Sequence, residues 1–178
     1  MMSHRHARNA RPLSGFTLVE VLVAVSVVAI LAALAAPALR DFANEQRLAA
    51  TMGALVTDLN FARVEALKRN ARVLLCARAA GLTTCAGSAE WQNGWVVCYD
   101  ATGDDQCDTA AANDPNPVRV VAPLNGQLRL TGGSGVVRFN PIGSTNGLST
   151  LTLTGSWPHA SVRTGTVAAS GVVTWRKN

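Results

Sequence analysis

Residues 16–39 read FTLVEVLVAVSVVAILAALAAPAL, apolar at nearly every position and charged only at Glu20. About 20 apolar residues span a bilayer as a helix, so these 24 are long enough to cross with some tilt. The pattern then changes without a break. Leu48, Met52, Leu55, Leu59, Ala62 and Ala66 recur at alternating intervals of four and three, one apolar stripe at helical period. Asp41, Glu45, Asp58, Glu65, Lys68 and Arg69 are expected on the opposite, solvated side, and the Met and Phe residues of the segment in the core. One nearly continuous helix is therefore predicted over 16–70, about 80 Å long at 1.5 Å per residue. Pro37 sits inside it and is expected to kink or loosen it, because proline removes a backbone bond and crowds the preceding turn.

After Asn70 short apolar runs alternate with Gly-, Asn-, Asp- and Pro-rich breaks such as LNG, TGGSG and NPIGSTNG, the pattern of strands and turns. Strands are predicted at 72–77, 94–99, 118–122, 127–130, 136–139 and 149–154. Two short pieces at 161–163 and 167–168 follow, then 171–176. A long helix followed by strands predicts an α+β chain, the helix packed on a mostly antiparallel β domain. The expected organisation is a leader at 1–15, a transmembrane helix at 16–39, its amphipathic continuation at 40–70 and a β-rich domain at 71–178.

Charge sharpens this picture. Arg5, Arg8 and Arg11 precede the apolar run, and positive charge on that flank keeps the N-terminal end in the cytoplasm. Everything beyond the span is then expected on the far side of the membrane. An ordinary cleavable signal carries its small-residue cut site after the apolar run, whereas here Gly15 stands before it. Glu20 lies inside the run, where a lone carboxylate costs roughly 3 kcal/mol, so it needs a function and a partner. A free α-amino group on Phe16, made by a cut after Gly15, is one turn away at i, i+4. Such a cut removes the three leader arginines and takes the formal charge from +5 to +2. In the rest of the chain, residues 90–114 hold Glu90, Asp100, Asp104, Asp105, Asp108 and Asp114 with no Lys or Arg. Residues 115–178 hold Arg119, Arg129, Arg138, Arg163, Arg176 and Lys177 with no acid. Such asymmetry marks either a basic binding surface or a set of solvated strand ends.

Cys76, Cys85, Cys98 and Cys107 allow three disulfide pairings in an oxidising compartment. The two equal spacings of nine, each bracketing a Gly-containing stretch, favour Cys76–Cys85 and Cys98–Cys107. Each loop would contribute about 2–3 kcal/mol in the chain-entropy picture. Zinc is the rival reading, but there is no CxxC, and His4, His6 and His159 do not cluster near the cysteines. No metal and no cofactor are expected. The acidic run from Asp100 to Asp108 has the oxygen ligands Ca²⁺ needs without the EF-hand spacing. Motifs for an enzyme are absent as well: no GxSxG, HExxH or P-loop occurs, and adjacent Asp104 and Asp105 do not make a two-sided glycosidase site.

Gly15-Phe16-Thr17-Leu18-Val19-Glu20, followed by the long apolar helix, resembles the class III signal of type IV pilins and type II secretion pseudopilins. The resemblance implies that a prepilin peptidase cuts after Gly15 and N-methylates Phe16, and that Glu20 sets subunit register in a helical filament. A second resemblance is narrower. Arg63-Val-Glu65-Ala66 with Lys68-Arg69, Val73-Leu-Leu-Cys76, Trp91-Gln-Asn-Gly94-Trp95-Val-Val with Asp100, and Phe139-Asn-Pro-Ile-Gly143 are similar, in order, to the GspH/FimT branch. That branch implies a minor pilin of a type IV pilus or a minor pseudopilin of type II secretion. The cysteine loop followed by Trp91 and Trp95 is more like the pilus members. It further implies other major and minor pilins and an inner-membrane assembly platform as partners, and a path from the inner membrane into a filament. Some FimT-type members bind DNA through a C-terminal Gly-Arg-x-Arg. Here the corresponding stretch is Gly171-Val172-Val173-Thr174, with both arginine positions empty, and Trp175, Arg176 and Lys177 stand next to it as the candidate DNA contact.

Overall fold

The computed structural model describes residues 15–108 and 116–178. The expected leader, except Gly15, and Asp114 lie outside the described residues. The chain falls into two compact units, Met1–Arg40 and Asp41–Asn178, and helix α1 (Leu18–Arg69) belongs to both.

In the first unit α1 is apolar apart from Glu20, Ser26 and the closing Arg40, and its most hydrophobic stretch has no residue buried inside the protein. Val23, Ile30, Leu31 and Leu34 are each about 60–70 % exposed, which suits a surface whose solvent is lipid or other helices. Pro37 lies inside α1, and the backbone is helical on both sides of it.

In the second unit the residues of the predicted stripe, Leu48 to Ala66, are all between 0 and 1 % exposed. Among the described residues eight strands follow: β1 (Val73–Ala77), β2 (Trp95–Tyr99), β3 (Arg119–Val120), β4 (Leu128–Thr131), β5 (Val136–Phe139), β6 (Ser149–Gly155), β7 (Arg163–Val167) and β8 (Val173–Lys177). They form two four-stranded sheets, ordered β3-β2-β1-β5 and β4-β6-β7-β8. Every pairing is antiparallel. The chain is α+β.

Alternation decides what each sheet buries. Val73, Leu75, Ala77, Trp95, Val97, Val137 and Phe139 of the first sheet share one core with α1. Leu128, Leu130, Leu151, Leu153 and Val167 of the second sheet join that same core. The other face of the first sheet carries a smaller cluster, Leu74, Cys76, Val96 and Cys98 with Cys85, against which Cys107 and Val136 pack. Both faces of β1 are therefore covered, and all five of its residues are buried.

Three expectations change. The two predicted pieces 161–163 and 167–168 are replaced by one continuous strand, β7 (Arg163–Val167), paired along its length with β6 on one side and β8 on the other. The third predicted strand shrinks to Arg119–Val120. Of the helix aromatics, Phe61 packs on the core while Phe42 is 62 % exposed.

Candidate functional site

The chain's N-terminal chemistry begins in a short non-helical lead. Gly15, Phe16 and Thr17 precede the first helical residue, and all are exposed. Thr17 stands at the N-cap position. Its Oγ1 accepts from the Glu20 N–H at 3.2 Å, while Glu20 Oε2 accepts from the Thr17 N–H at 3.3 Å. This is a reciprocal capping box, Thr-x-x-Glu, which satisfies two backbone donors at a helix start. In the uncut chain the Glu20 partner is therefore Thr17. The Gly15–Phe16 peptide bond lies outside the helix, and among the described residues nothing beyond the chain neighbours lies within 4 Å of where a Gly15 Cβ would be.

The tail places the three candidate DNA residues differently from their sequence order. In β8, Lys177 pairs with Arg163 and Trp175 with Gly165, while Arg176 pairs with Thr164. Because side chains alternate in a strand, Trp175 and Lys177 share the face that Arg163 and Gly165 bury, and Arg176 takes the opposite face. Trp175 is 49 % exposed with the Arg163 guanidinium 5.6 Å from its ring centroid. The basic C-terminal third is also less free than its composition suggests. Arg119 pairs with Asp58, Arg138 with Asp105, and Arg163 with Glu45.

Those pairs show where the helix acids go. Asp58 and Glu65 are 4 % and 7 % exposed, not solvated as the stripe implied. At about 100° per residue they lie roughly 80–100° from the stripe's centre, on its flanks rather than opposite it. There the sheets supply donors. Asp58 Oδ2 accepts from Trp95 Nε1 at 2.8 Å, and its other oxygen pairs with Arg119. Glu65 Oε2 accepts from the Tyr99 hydroxyl at 2.9 Å and from Arg69 Nε at 3.2 Å. Glu45 accepts from the Ser161 N–H at 2.7 Å and its hydroxyl at 2.6 Å. Asp58 and Glu65 thus tie α1 to the first sheet, and the half-buried Glu45 ties it to the second through Ser161 and Arg163.

These ties make folding pH-dependent. Burial pushes the Glu65 carboxyl up, but Tyr99, Arg69 and Lys68 outweigh it and hold the group below its ordinary 4.5. For Glu45 burial is likewise outweighed, by the two Ser161 hydrogen bonds and then the charges of Lys177 and Arg163. Hydrogen bonds from Arg138 lower Asp105 from 3.8 against a smaller burial effect, and the charges of Arg138 and Arg72 add to the lowering. A carboxyl whose pKa is lower folded than unfolded stabilises the fold above the unfolded pKa, and that contribution is lost as pH falls through the folded value. Thermal midpoints are expected to hold from pH 7 to about 5 and to fall below pH 4.5, where the unfolded Glu65 and Glu45 begin to bind protons first. Glu65→Gln is expected to flatten that fall.

The motif residues of the middle chain converge structurally. Arg63 Nε donates to the Gly143 carbonyl at 3.0 Å and its NH2 to the Ser170 carbonyl at 3.2 Å. Gly171, at φ +78°, passes so close that a Cβ would stand 1.9 Å from the Gly143 oxygen. Trp91 is fully buried and donates Nε1 to the Gly132 carbonyl at 3.0 Å. Asp100, 1 % exposed, accepts from the N–H groups of Gly103, Asp104 and Asp105 and from Arg72. Asp100, Asp104 and Asp108 do gather their carboxylates, but Asp100 is spent on folding its own loop.

Two disulfides join Cys76 to Cys85 and Cys98 to Cys107. Cys76 and Cys98 come from neighbouring strands β1 and β2, and the two loops return Cys85 and Cys107 onto the same sheet face. The four sulfurs all lie within 4.8 Å of one another.

The profile of the family described as Type II transport protein GspH matches residues 51–171, about two thirds of the chain. The chain belongs to the GspH family. The profile of the prokaryotic N-terminal methylation motif matches residues 13–36, across Gly15 and Glu20. A crystal structure of the type IV minor pilin FimU from Pseudomonas aeruginosa PAO1 (space group P21) is similar at 15 % identity and a TM-score of 0.54. The match covers 76 % of this chain and 92 % of that one. A second crystal form of FimU (P65) matches at 15 % identity and a TM-score of 0.49, over 70 % and 88 %. No curated protein matches in sequence. The GspH-family chain thus has the type IV pilin-like fold, with an N-terminal methylation motif and a long apolar N-terminal helix.

Proposed function

We propose that this GspH-family chain is a minor pilin of a type IV pilus, incorporated in low copy number to prime or cap the filament. In that role it supports pilus assembly, and through it twitching motility, adhesion or DNA uptake. The observation that carries the reading is the N-terminus: an exposed Gly15–Phe16 bond outside the helix, a Thr17–Glu20 capping box, and an apolar helix whose most hydrophobic stretch is not buried. A prepilin peptidase cuts after Gly15 and methylates Phe16. The new Phe16 amine and Glu20 then set register against neighbouring pilins, delivered by an inner-membrane assembly platform. Before assembly the chain crosses the inner membrane once, with the β domain in the periplasm. A minor pseudopilin of type II secretion is the alternative, favoured by the family's own description; the fold shared with a type IV minor pilin and the disulfide-closed loop before Trp91 favour the pilus.

Mass spectrometry of the protein from membranes and from sheared filaments tests this directly. The expected product begins at N-methylated Phe16 and gains four hydrogens on reduction, two per disulfide. An intact Met1 or Met2 terminus in cells with active prepilin peptidase overturns the reading. Recovery from pili or from secretion pseudopili decides between the two filaments.

DNA binding is a further alternative, supported by the exposed Trp175 and the acid-free C-terminal third. Phosphate contacts are salt-dependent and an exposed indole stacks on unpaired bases. If the tail is the site, Arg176→Ala with Lys177→Ala is expected to abolish a low-salt DNA gel shift, and an unchanged shift removes the tail from consideration.

A further inference from the structure

The cysteine cluster allows more than two disulfides. Cys85 Sγ and Cys107 Sγ, which belong to different bonds, lie 3.8 Å apart. That equals the sulfur–sulfur edge, about 3.8 Å, of a tetrahedron built with zinc–sulfur bonds of about 2.3 Å. All four sulfurs fall within 4.8 Å of one another, so a tetrahedral set requires the bonded pairs to open to that edge and the wider pairs to draw in by up to about 1 Å. Two ligands come from the neighbouring strands β1 and β2 and two from the loops that follow them. Leu74, Val96 and Val136 give the cluster an apolar floor. A cavity of about 260 Å³ lined by Cys76, Cys85, Asp105 and Arg138 opens onto it and offers an ion an entry path.

We propose that in its thiol form the chain holds one Zn²⁺ through Cys76, Cys85, Cys98 and Cys107, and that disulfide closure expels the ion. Binding replaces four thiol protons by one metal, leaving a tetrathiolate centre of net charge −2. Arg138, in the same cavity wall, offsets part of that charge, although Asp105 shares the guanidinium. Oxidation by a disulfide such as oxidised glutathione balances as follows. Two glutathione disulfides accept four electrons and four protons to give four glutathione thiols. The four thiolates form two protein disulfides, and Zn²⁺ leaves. The ion would hold the sulfurs as one set until they are paired, at a place where Cys85 and Cys107 stand close enough to mispair. Sequence spacing concealed this site, because no two ligands make a CxxC and the fold alone brings the strands and loops together.

Full-length chain in detergent micelles, reduced and kept anaerobic, is titrated with Co²⁺ as a spectroscopic stand-in and then with Zn²⁺. The expected result is one Co²⁺ per chain with the visible spectrum of a tetrahedral tetrathiolate, displacement by Zn²⁺, and protection of all four thiols from maleimide. Cys98→Ser and Cys107→Ser are each expected to weaken binding on the order of 100-fold or more. Adding oxidised glutathione should release the metal, followed with a zinc indicator. Any of four results overturns the proposal: no tetrahedral spectrum, protection of no more than two thiols, equal binding by the disulfide form, or loss of binding in Asp104→Asn with Asp108→Asn. The last would assign the metal to the acidic loop.

Discussion

Leu59→Ala is expected to lower the unfolding free energy by about 3–5 kcal/mol, the upper range for deleting a buried leucine side chain. Leu59 is 0 % exposed and sits where α1 meets a core contributed by both sheets. Truncation loses the transfer free energy of three carbons. It also leaves a cavity whose walls are held by two hydrogen-bonded sheets and cannot collapse far, so the cavity term stays near its maximum. Urea unfolding of full-length protein in detergent micelles, followed by tryptophan fluorescence, measures the loss. Leu67→Ala, at a position 49 % exposed, is the control and is expected to cost about 1 kcal/mol or less. Equal losses at the two sites would mean that α1 is not seated on the sheets as described.

Asp58→Ala is expected to cost about 2–4 kcal/mol. The carboxylate accepts from Trp95 Nε1 on one oxygen and pairs with Arg119 on the other. Removing it strands a buried indole N–H, which costs about 1–3 kcal/mol on its own. The Arg119 contribution is smaller, because that side chain is 41 % exposed and water takes over part of the solvation. Asp58→Asn separates the two terms. An amide oxygen still accepts from Trp95 while the charge is gone, so the loss is expected to shrink to about 1 kcal/mol. Equal losses for Ala and Asn would place the whole effect in the ion pair. The Trp95 fluorescence maximum gives a second readout, since a stranded indole in a loosened pocket admits water.

The same residues show how far pattern reasoning carries. A helical stripe identifies Leu48 to Ala66 as buried because apolar side chains at a 3.6-residue period have one favourable arrangement, against other apolar surface. It misassigns Asp58 and Glu65, because periodicity reports where apolar groups are and not where a distant indole or hydroxyl will stand. The donors for those acids, Trp95 and Tyr99, lie 37 and 34 residues away in sequence. The nearest available signal was the recurrence of Glu65 and Trp95 inside motifs that resemble one family. Such residues are as often structural ties as chemical ones, and here they are ties. The basic C-terminal third was misleading for a related reason. Charge was legible in composition, while Arg119, Arg138 and Arg163 are spent on acids that only folding brings near.

By itself the sequence determined the apolar anchor with Glu20 in its first turn, the long helix through residue 69, the α+β order and most strand positions. These are local properties: a run of apolar residues, a period and a turn signal each act within a few residues. The tertiary structure alone decided the division into two sheets and the single strand β7 at Arg163–Val167, held between β6 and β8. It also decided the burial of the helix acids, the separation of Arg176 from Trp175 and Lys177 across β8, and the gathering of four sulfurs on one sheet face. Each of these depends on which strand lies beside which, and that is set by the one arrangement that buries the apolar faces of helix and sheets together while leaving every buried carboxylate a donor.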